Sequence, residues 1–379
     1  MKILFIAHEV GLNGASKSLL NLIEEFQDNI DVHVLVKGEG MLSKALQEKK
    51  CHVIVKKYYL DAEKQEQSKI VEIIKTLRYF LLHKPINLIT AFSVSRYIRK
   101  HRIDIVHTNS SSTFMGAFIK RFTPRIKHIW HFREFLFEDF GMLPLAGWRA
   151  LYKYVNKYTD AVITISDAVN HKYIARFQTP RFLIYNGLPD VNEHFAPENR
   201  DTFNLIQSGI ISPVKGVDVS VKAIQILHKQ GYENVHLYLA GKGDLEFCRE
   251  DYENVKPYVH LLGYVNNLNE IRQKKMDAEL VCSKSEAFGR VTIEAMQNGM
   301  IVVGADTGGT KELIHDGKDG FLFRMGDAND LAEKIRMIID QKVDLQYIKE
   351  NALLNAKEFS IAKCANSIRT LYADILKGE

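Results

Sequence analysis

The sequence predicts an α/β protein made of two doubly wound domains, each built on a parallel sheet. The chain has 379 residues, which exceeds the roughly 250–300 residues at which one hydrophobic core stops growing. Short apolar runs rich in Val and Ile recur without strict alternation, as in strands buried on both faces of a sheet. Amphipathic stretches separate many of these runs, and repeated strand–helix alternation indicates βαβ units.

The apolar runs fall into two series, which predict two Rossmann-like sheets of six or seven strands. The first series is Ile3–Ala7, Val32–Val36, Val53–Val55, Ile103–Val106, Ile126–Trp130, Val162–Ile165 and Phe182–Tyr185. The second is Phe203–Gln207, Val235–Ala240, Val259–Leu262, Glu279–Cys282, Ile301–Gly304 and Gly320–Phe323. Helical patterns between them include Ser16–Phe26, Val217–Lys229, Thr292–Asn298 and Ala328–Asp340. The segment Lys56–Arg102 is helical in pattern, and we expect its helix to break at Pro85.

Three segments follow from this pattern. Residues 1–188 form the first domain and residues 189–360 the second, joined near the polar, proline-containing stretch Pro189–Arg200. Residues 361–379 add a C-terminal helix over Ile361–Lys377.

Composition excludes several classes of protein. Hydrophobic residues make up 46% and charged residues 26%, which excludes a disordered or fibrous chain. No apolar run approaches the roughly 18 residues of a membrane span, and the N-terminal run is too short for a signal-peptide core. The four cysteines are scattered without metal-type spacing, as in a reduced, cytoplasmic protein.

The net charge of +5 is divided unevenly. Residues 1–186 hold 28 Lys and Arg against 17 Asp and Glu, a balance of +11, and the remaining residues carry −6. A basic half indicates an anionic partner such as phospholipid, nucleic acid or a phosphorylated substrate. A solvated lysine surface is the alternative.

Two loops are candidate phosphate sites. Gly11 and Gly14 bracket the loop after the first strand, and Ser16 is expected to cap the helix that follows. In the second domain, Lys215 lies just past a strand's carboxyl end, where open α/β sheets bind ligands. Taken alone, the first loop is equally compatible with a tight turn, and a solvated loop lysine is the favoured interpretation of Lys215.

The most informative stretch is Ser283–Asn298. Glu286 lies in a loop after a buried strand, Phe288 and Gly289 allow a tight turn, and a helix follows from about Val291. Glu286 and Glu294 could therefore face one cleft, where each would accept hydrogen bonds from the hydroxyl groups of a ligand. A capping glutamate and a surface glutamate are the alternative.

The segment SEAFGRVTIEAM resembles the Glu-x7-Glu motif of retaining, GT-B-fold glycosyltransferases of family four. Further stretches resemble that family's landmarks in order and spacing: GLNGASKSLLNL, HIWHFRE, ITISDAV, IYNGLPD, SGIISPVKGVD, LAGKGD, HLLGYV, GADTGGTKELI and DGKDGFLF. The resemblance implies two domains that face a cleft, with the C-terminal helix crossing back to the first. It also implies a retaining hexosyltransferase that uses a nucleotide sugar, with UDP favoured, in bacterial cell-surface polysaccharide or glycoconjugate synthesis.

The resemblance also assigns roles to residues. Gly14 would contact the donor phosphate and Lys215 its diphosphate. His131 and Glu286 would be the catalytic residues, beside the reaction centre and on the donor-sugar hydroxyls. Backbone amides of Phe288 and Gly289 would face the donor, and Glu294 would hold the ribose.

One position departs from the family pattern. The family places an arginine directly after the glycine that is Gly209 here, but this chain has Ile210. Arg290 is expected to supply the missing diphosphate contact, or alternatively to pair with Glu294. The sequence contains no Asp-x-Asp, so we expect no metal and no other cofactor.

The expected partners are a nucleotide-sugar donor, a saccharide or lipid-linked acceptor and an anionic membrane surface, with no nucleic acid. The protein would act in the cytoplasm, peripheral at the inner face of the membrane. The competing functions are a non-catalytic GT-B partner subunit, an epimerase or phosphorylase of the same fold, and a nucleic-acid binder.

Overall fold

The protein was analysed as a computed structural model, which describes residues 1–26, 30–173 and 176–378. These residues form two compact units. The first consists of Met1–Gly187 together with Ile361–Glu379, and the second of Leu188–Ser360. Each unit carries one parallel sheet, so the prediction of two doubly wound α/β domains is confirmed.

The first unit is built on a seven-stranded sheet in the order β3-β2-β1-β5-β6-β8-β9, with every pairing parallel. Its strands are β1 Lys2–Ile6, β2 Asp31–Val36, β3 His52–Val55, β5 Ile105–Thr108, β6 Lys127–Phe132, β8 Ala161–Thr164 and β9 Arg181–Leu183. A separate antiparallel pair joins β4, Ala62–Lys64, to β7, Met142–Pro144. The central strands are buried along their length because helices cover both faces of the sheet.

Helices of the first unit follow most of these strands. They are α1 Gly14–Phe26, α2 Met41–Glu48, α3 Lys69–Arg78, α4 Lys84–His101, α5 Met115–Phe122, α6 Phe137–Phe140, α7 Trp148–Tyr158 and α8 Asp167–Tyr173. The last helix of the chain, which we label α16 (Ile361–Lys377), packs against α1 in the same hydrophobic core.

Two predictions about these helices are wrong. Helix α1 begins at Gly14, because Asn13 already accepts a helical hydrogen bond from the amide of Lys17, and Ser16 lies inside the first turn. The helix does not break at Pro85 either, since that residue occupies the first turn of α4, where no amide donor is needed. The irregularity lies before it, where Tyr79–His83 form a π-helical turn between α3 and α4.

The second unit is built on a six-stranded parallel sheet in the order β12-β11-β10-β13-β14-β15. Its strands are β10 Phe203–Ser208, β11 Val235–Ala240, β12 Val259–Leu261, β13 Ala278–Val281, β14 Ile301–Ala305 and β15 Phe321–Phe323. Its helices are α9 Val217–Lys229, α10 Arg249–Glu253, α11 Leu268–Lys275, α12 Arg290–Gln297, α13 Gly308–Leu313, α14 Ala328–Ile339 and α15 Leu345–Ala356.

Each sheet has a point where the order of strands reverses. In the first unit the reversal falls between β1 and β5, and in the second between β10 and β13. The loops that leave adjacent strands diverge there and open a crevice at the carboxyl edge of the sheet, which is where such sheets bind ligands.

Candidate functional site

Lys215 and Glu286 lie at the reversal point of the second sheet. Lys215 ends the short 3₁₀ turn Pro213–Lys215 after β10, and Glu286 lies in the loop after the neighbouring strand β13. The Nζ atom of Lys215 is 2.7 Å from Oε2 of Glu286, and both side chains keep part of their surface exposed. The structure thus brings together two residues that are 71 positions apart in sequence.

Close backbone packing holds these two loops side by side. Gly216 has a φ of +66°, and a Cβ atom there would lie 1.9 Å from the carbonyl oxygen of Cys282. The amide of Lys284 also donates a hydrogen bond of 2.9 Å to the carbonyl of Val214. Only glycine at position 216 permits this approach, so the backbone fixes where Lys215 and Glu286 meet.

The start of α13, which follows β14, packs against the predicted turn. The amide of Gly309 donates a 2.7 Å hydrogen bond to the carbonyl of Glu286. A Cβ atom on Gly309 would lie 2.3 Å from the carbonyl oxygen of Phe288, whose ring is buried against Phe359. Gly289 has a φ of +102° and precedes α12 directly, as the tight-turn prediction requires. The first-turn amides of α12 therefore start beside Glu286 and form a positive helix end.

Glu294 lies one turn into α12 between two arginines. Its Oε1 atom is 3.3 Å from Nη2 of Arg290, and its Oε2 atom is 3.6 Å from Nη1 of Arg272. Arg290 therefore pairs with Glu294, which is one of the two alternatives that the sequence left open. Ile210, where the family has arginine, is 66% exposed.

Arg272, which contacts Glu294, also forms a buried ion pair with Glu279. This pair was not predicted from the sequence. The Nε atom of Arg272 donates a 2.8 Å hydrogen bond to Oε2 of Glu279, and both side chains are at most 1% exposed. Oε1 of Glu279 accepts a hydrogen bond from the amide of Ser208, the last residue of β10. The negative charge of Glu279 keeps the pKa of Arg272 above its usual value despite burial, which by itself lowers that pKa. A charged residue inside an apolar strand was the only sequence signal of this pair.

In the first unit, Gly14 begins α1, and a carboxylate bonds to residues on both sides of it in the sequence. Glu9 accepts hydrogen bonds from the Asn13 amide nitrogen at 3.0 Å and the Ser16 hydroxyl at 2.9 Å. Burial raises the pKa of Glu9, but hydrogen bonding and charge from His8, together with Asn13 and Ser16, outweigh it and bring that pKa to about 2. An anion therefore already occupies the loop next to the helix end. The role of Gly14 in phosphate binding stays a prediction.

His131 lies on β6 in a buried chain of hydrogen bonds. Its Nδ1 atom is 3.2 Å from Nε2 of His107 on β5, and Nδ1 of His107 is 2.6 Å from the hydroxyl of Tyr372 on α16. Burial, together with the positive charge of Arg133, lowers the pKa of both histidines well below the usual value, so both rings are neutral. The Nε2 atom of His131 is buried and makes no hydrogen bond within the described part of the chain.

The need of the Tyr372 hydroxyl for an acceptor favours one direction for these hydrogen bonds. Tyr372 finds an acceptor for its phenolic proton among the described residues only if it donates to Nδ1 of His107. His107 then donates from Nε2 to Nδ1 of His131, and the remaining proton of His131 is on Nε2. This hydrogen-bond chain thus presents His131 as a neutral N–H donor whose Nε2 has no acceptor among the described residues.

A second network fixes the loop after β5 and was also missed from the sequence. Arg133 donates 2.7 and 2.5 Å hydrogen bonds to the side-chain oxygens of Asn109 and Asn186. Glu134 accepts from the Ser111 amide at 2.9 Å and from the hydroxyls of Ser110 and Ser111. Because these buried groups satisfy one another, the strand end that carries His131 is rigid.

The segment from α3 to α4 exposes a large apolar surface. We call it the α3–α4 apolar surface and define it by Ile70, Ile73, Ile74, Leu77, Phe80, Leu81, Leu82, Ile89 and Phe92, each at least 42% exposed. Lys84 Nζ lies 5.1 Å from the centre of the Phe80 ring, and the Arg96 guanidinium 4.6 Å from that of Phe92. Contiguous apolar exposure on this scale marks an interaction surface. Among the described residues, no helix combines the length and hydropathy that a membrane span requires.

Comparison with known proteins agrees with this arrangement. Residues 190–354 match the family profile described as "Glycosyl transferases group 1", and residues 12–190 match that of "Glycosyltransferase Family 4". An uncharacterized glycosyltransferase of Methanocaldococcus jannaschii, MJ1178, is 28% identical over 231 residues, which are 60% of this chain and 63% of the relative. The trehalose synthase of Thermococcus litoralis is 25% identical over 327 residues, which are 82% of this chain and 72% of that one.

Solved structures share the fold. HepE of Anabaena in complex with UDP has a TM-score of 0.78 at 22% identity, over 99% of this chain and 100% of its own. Sucrose-phosphate synthase of Thermosynechococcus elongatus has a TM-score of 0.72 at 17% identity, with both chains fully covered. These structures show the GT-B fold for the chain. Since the two family profiles together span residues 12–354, the chain belongs to the glycosyltransferases of family 4 and group 1.

Proposed function

We propose that the protein is a retaining glycosyltransferase that moves a sugar from a UDP-sugar to a saccharide or lipid-linked acceptor, in bacterial cell-surface polysaccharide or glycoconjugate synthesis. The observation that carries the proposal is the Lys215–Glu286 pair, which lies at the reversal point of the second sheet beside the first turn of α12. This position combines a cation, a helix end and a hydrogen-bonding carboxylate. A sugar diphosphate needs each of these groups.

The proposed donor site uses the charges of the second unit. Lys215 and the amides at Phe288 and Gly289 would neutralise the diphosphate, while Glu286 would accept hydroxyl hydrogens of the donor sugar. Glu294 would hold the ribose, and Arg290 would exchange part of its contact with Glu294 for a phosphate oxygen. The solved complexes of HepE with UDP and with UDP-glucose favour uridine as the nucleotide.

Transfer would begin with cleavage of the bond between the anomeric carbon and the diphosphate. Positive charge develops on the carbon and negative charge on the leaving group, which Lys215 and the α12 amides stabilise. The acceptor oxygen would bond to the anomeric carbon from the face that the diphosphate leaves, and the leaving phosphate would take the hydroxyl proton, so the configuration is retained. We assign no carboxylate as a covalent nucleophile.

The donor and the activity are tested separately. Thermal unfolding would be followed with UDP-, GDP-, dTDP- and ADP-sugars, and a UDP-sugar is expected to raise the midpoint most, because a ligand of the native state stabilises it. Release of UDP by the chain alone, in the presence of a saccharide acceptor, then tests catalysis. Binding without release would favour the non-catalytic partner subunit, the alternative motivated by Ile210.

His131 would act beside the reacting carbon as a neutral donor through Nε2. His131→Ala is therefore expected to lower kcat more than donor affinity.

Tyr372→Phe should lower kcat by about 2- to 10-fold at unchanged KM, which corresponds to one neutral hydrogen bond. Tyr173→Phe is the matched control, because the Tyr173 hydroxyl is also buried but makes no hydrogen bond to any residue that the structure describes. Equal kcat values in the two tyrosine variants would contradict a role in catalysis for the hydrogen bonds that join Tyr372, His107 and His131.

The acceptor end of the reaction would face a membrane. The first unit carries the basic half of the sequence, and the α3–α4 apolar surface lies beside Lys84 and Arg96. Apolar side chains among cations favour an anionic lipid interface, where each basic residue contributes roughly 1 kcal/mol. Two aromatic residues of this basic part of the chain, Tyr58 and Tyr79, are buried, so the exposed residues of the α3–α4 apolar surface carry the proposal.

Ile70→Glu combined with Leu81→Glu is expected to abolish co-sedimentation with vesicles that contain anionic lipid. Both side chains are at least 70% exposed, so the fold should tolerate the change. Leu354→Glu in the second unit, at 60% exposure, is the control and should leave binding intact. If the double variant binds as well as the wild type, or if the wild type does not bind at low salt, the membrane proposal is wrong.

A further inference from the structure

The strongest cluster that the proposed function does not use lies at the amino-terminal edge of the first sheet. Asp31 is the first residue of β2 and His52 the first residue of β3, and His33 pairs with His52 in the parallel register. The two imidazole rings stack with their centres 4.5 Å apart and their planes 19° from parallel. Ligands of the sheet itself bind at the opposite, carboxyl edge, so this cluster needs a separate explanation.

The distances within the cluster match those around a metal ion. Oδ1 of Asp31 is 3.4 Å from Nε2 of His33 and 3.4 Å from Nε2 of His52. A tetrahedral ion with bonds of about 2.0–2.1 Å places neighbouring ligand atoms about 3.3–3.4 Å apart. All three ligand atoms lie within 4.8 Å of one another.

The contact that Nδ1 of His33 makes leaves Nε2 of the same ring as the atom that can bind a metal. The Nδ1 atom is 2.8 Å from the hydroxyl of Tyr97, and the Nε2 atom is buried and makes no hydrogen bond among the described residues. A partner on one ring nitrogen that leaves the other free is the usual support of a metal-binding histidine.

We propose that Asp31, His33 and His52 bind one Zn²⁺ ion. One carboxylate and two imidazoles are a common zinc set, and the exposed side of His52 leaves the fourth position to water. Lys2 lies 3.1 Å from Oδ2 of Asp31, so it holds the second carboxylate oxygen and makes Asp31 a monodentate ligand. The ion would tie β3, the edge strand, to β2.

The test is calorimetric titration of the full chain with Zn²⁺ after treatment with a chelator. The expected result is one ion per chain, with binding lost in His52→Ala. Tyr97→Phe should weaken affinity by about 10-fold, since it removes only the support of His33. His260→Ala is the matched control, because His260 forms another histidine pair, 2.9 Å from His236 in the second unit. It should bind as the wild type does.

Absence of binding by the wild type, or binding that survives in His52→Ala, would overturn the proposal. Loss of binding in His260→Ala would move the site to the second unit and overturn it as well. None of these titrations contains a nucleotide sugar, so their result can be interpreted even if the protein does not transfer sugars.

Discussion

Glu286→Ala is expected to reduce sugar transfer from the UDP-sugar by roughly 10- to 150-fold, with the protein still folded. The estimate corresponds to about 1.5–3 kcal/mol for a hydrogen bond that involves a charged group. Glu286 lies in a loop with part of its surface exposed, and its side chain contacts Lys215 rather than the core. Initial rates of UDP release at saturating and limiting donor, together with the thermal unfolding midpoint, measure both parts of the prediction.

The partner of Glu286 sharpens this experiment. Lys215→Ala should weaken UDP affinity, and the double variant should lose less activity than the two single losses combined, because the side chains contact each other. Glu253→Gln provides the control, since Glu253 forms an exposed ion pair with Lys256 in the same unit. Kinetics like those of the wild type in Glu286→Ala would remove Glu286 from the site.

Glu279→Ala is expected to lower the free energy of unfolding of the second unit by about 3–5 kcal/mol, the usual cost of leaving a buried charge without its partner. Arg272 is fully buried, and its remaining partner, Glu294, is 3.6 Å away. The amide of Ser208 would lose its acceptor as well. Urea unfolding of the whole protein, followed by circular dichroism and compared with the wild type, measures the loss.

A variant that lacks both charges distinguishes the effect of the ion pair on stability from the effect of packing. Arg272→Met combined with Glu279→Met should be more stable than Glu279→Ala, because no buried charge is left unpaired. Glu253→Gln should leave the unfolding midpoint unchanged, as expected for an exposed pair. If Glu279→Ala is as stable as the wild type, the Arg272–Glu279 pair contributes nothing to the fold.

The architecture could be predicted from the sequence because it depends on local patterns. Buried parallel strands produce apolar runs, and all thirteen predicted runs coincide with strands of the two sheets to within about two residues at either end. The start of α1 was misplaced because a serine near a helix end resembles a cap whether or not its hydroxyl bonds to the helix. Here it donates to Glu9 instead.

The predicted donor residues of the second unit meet because each follows a strand that ends at the same edge. Lys215 and Glu286 could be proposed on that ground, since position along a strand is visible in sequence. Which charge pairs with which depends on tertiary distances, so the pairing of Arg290 with Glu294 stayed open. The Tyr372–His107–His131 chain could not be foreseen at all, because it joins residues up to 265 positions apart.

The position of α16 has a consequence for how the chain is made. Its apolar face, from Ile361 to Ile375, completes the core formed by α1 and the first sheet. The second unit is therefore an insertion within the first, and a ribosome must synthesise all of it before the first unit can close its core. During translation, residues 188–360 can fold as a continuous segment, while residues 1–187 keep apolar surface exposed until α16 has been made. The half of the molecule that is synthesised first is thus the half that is finished last.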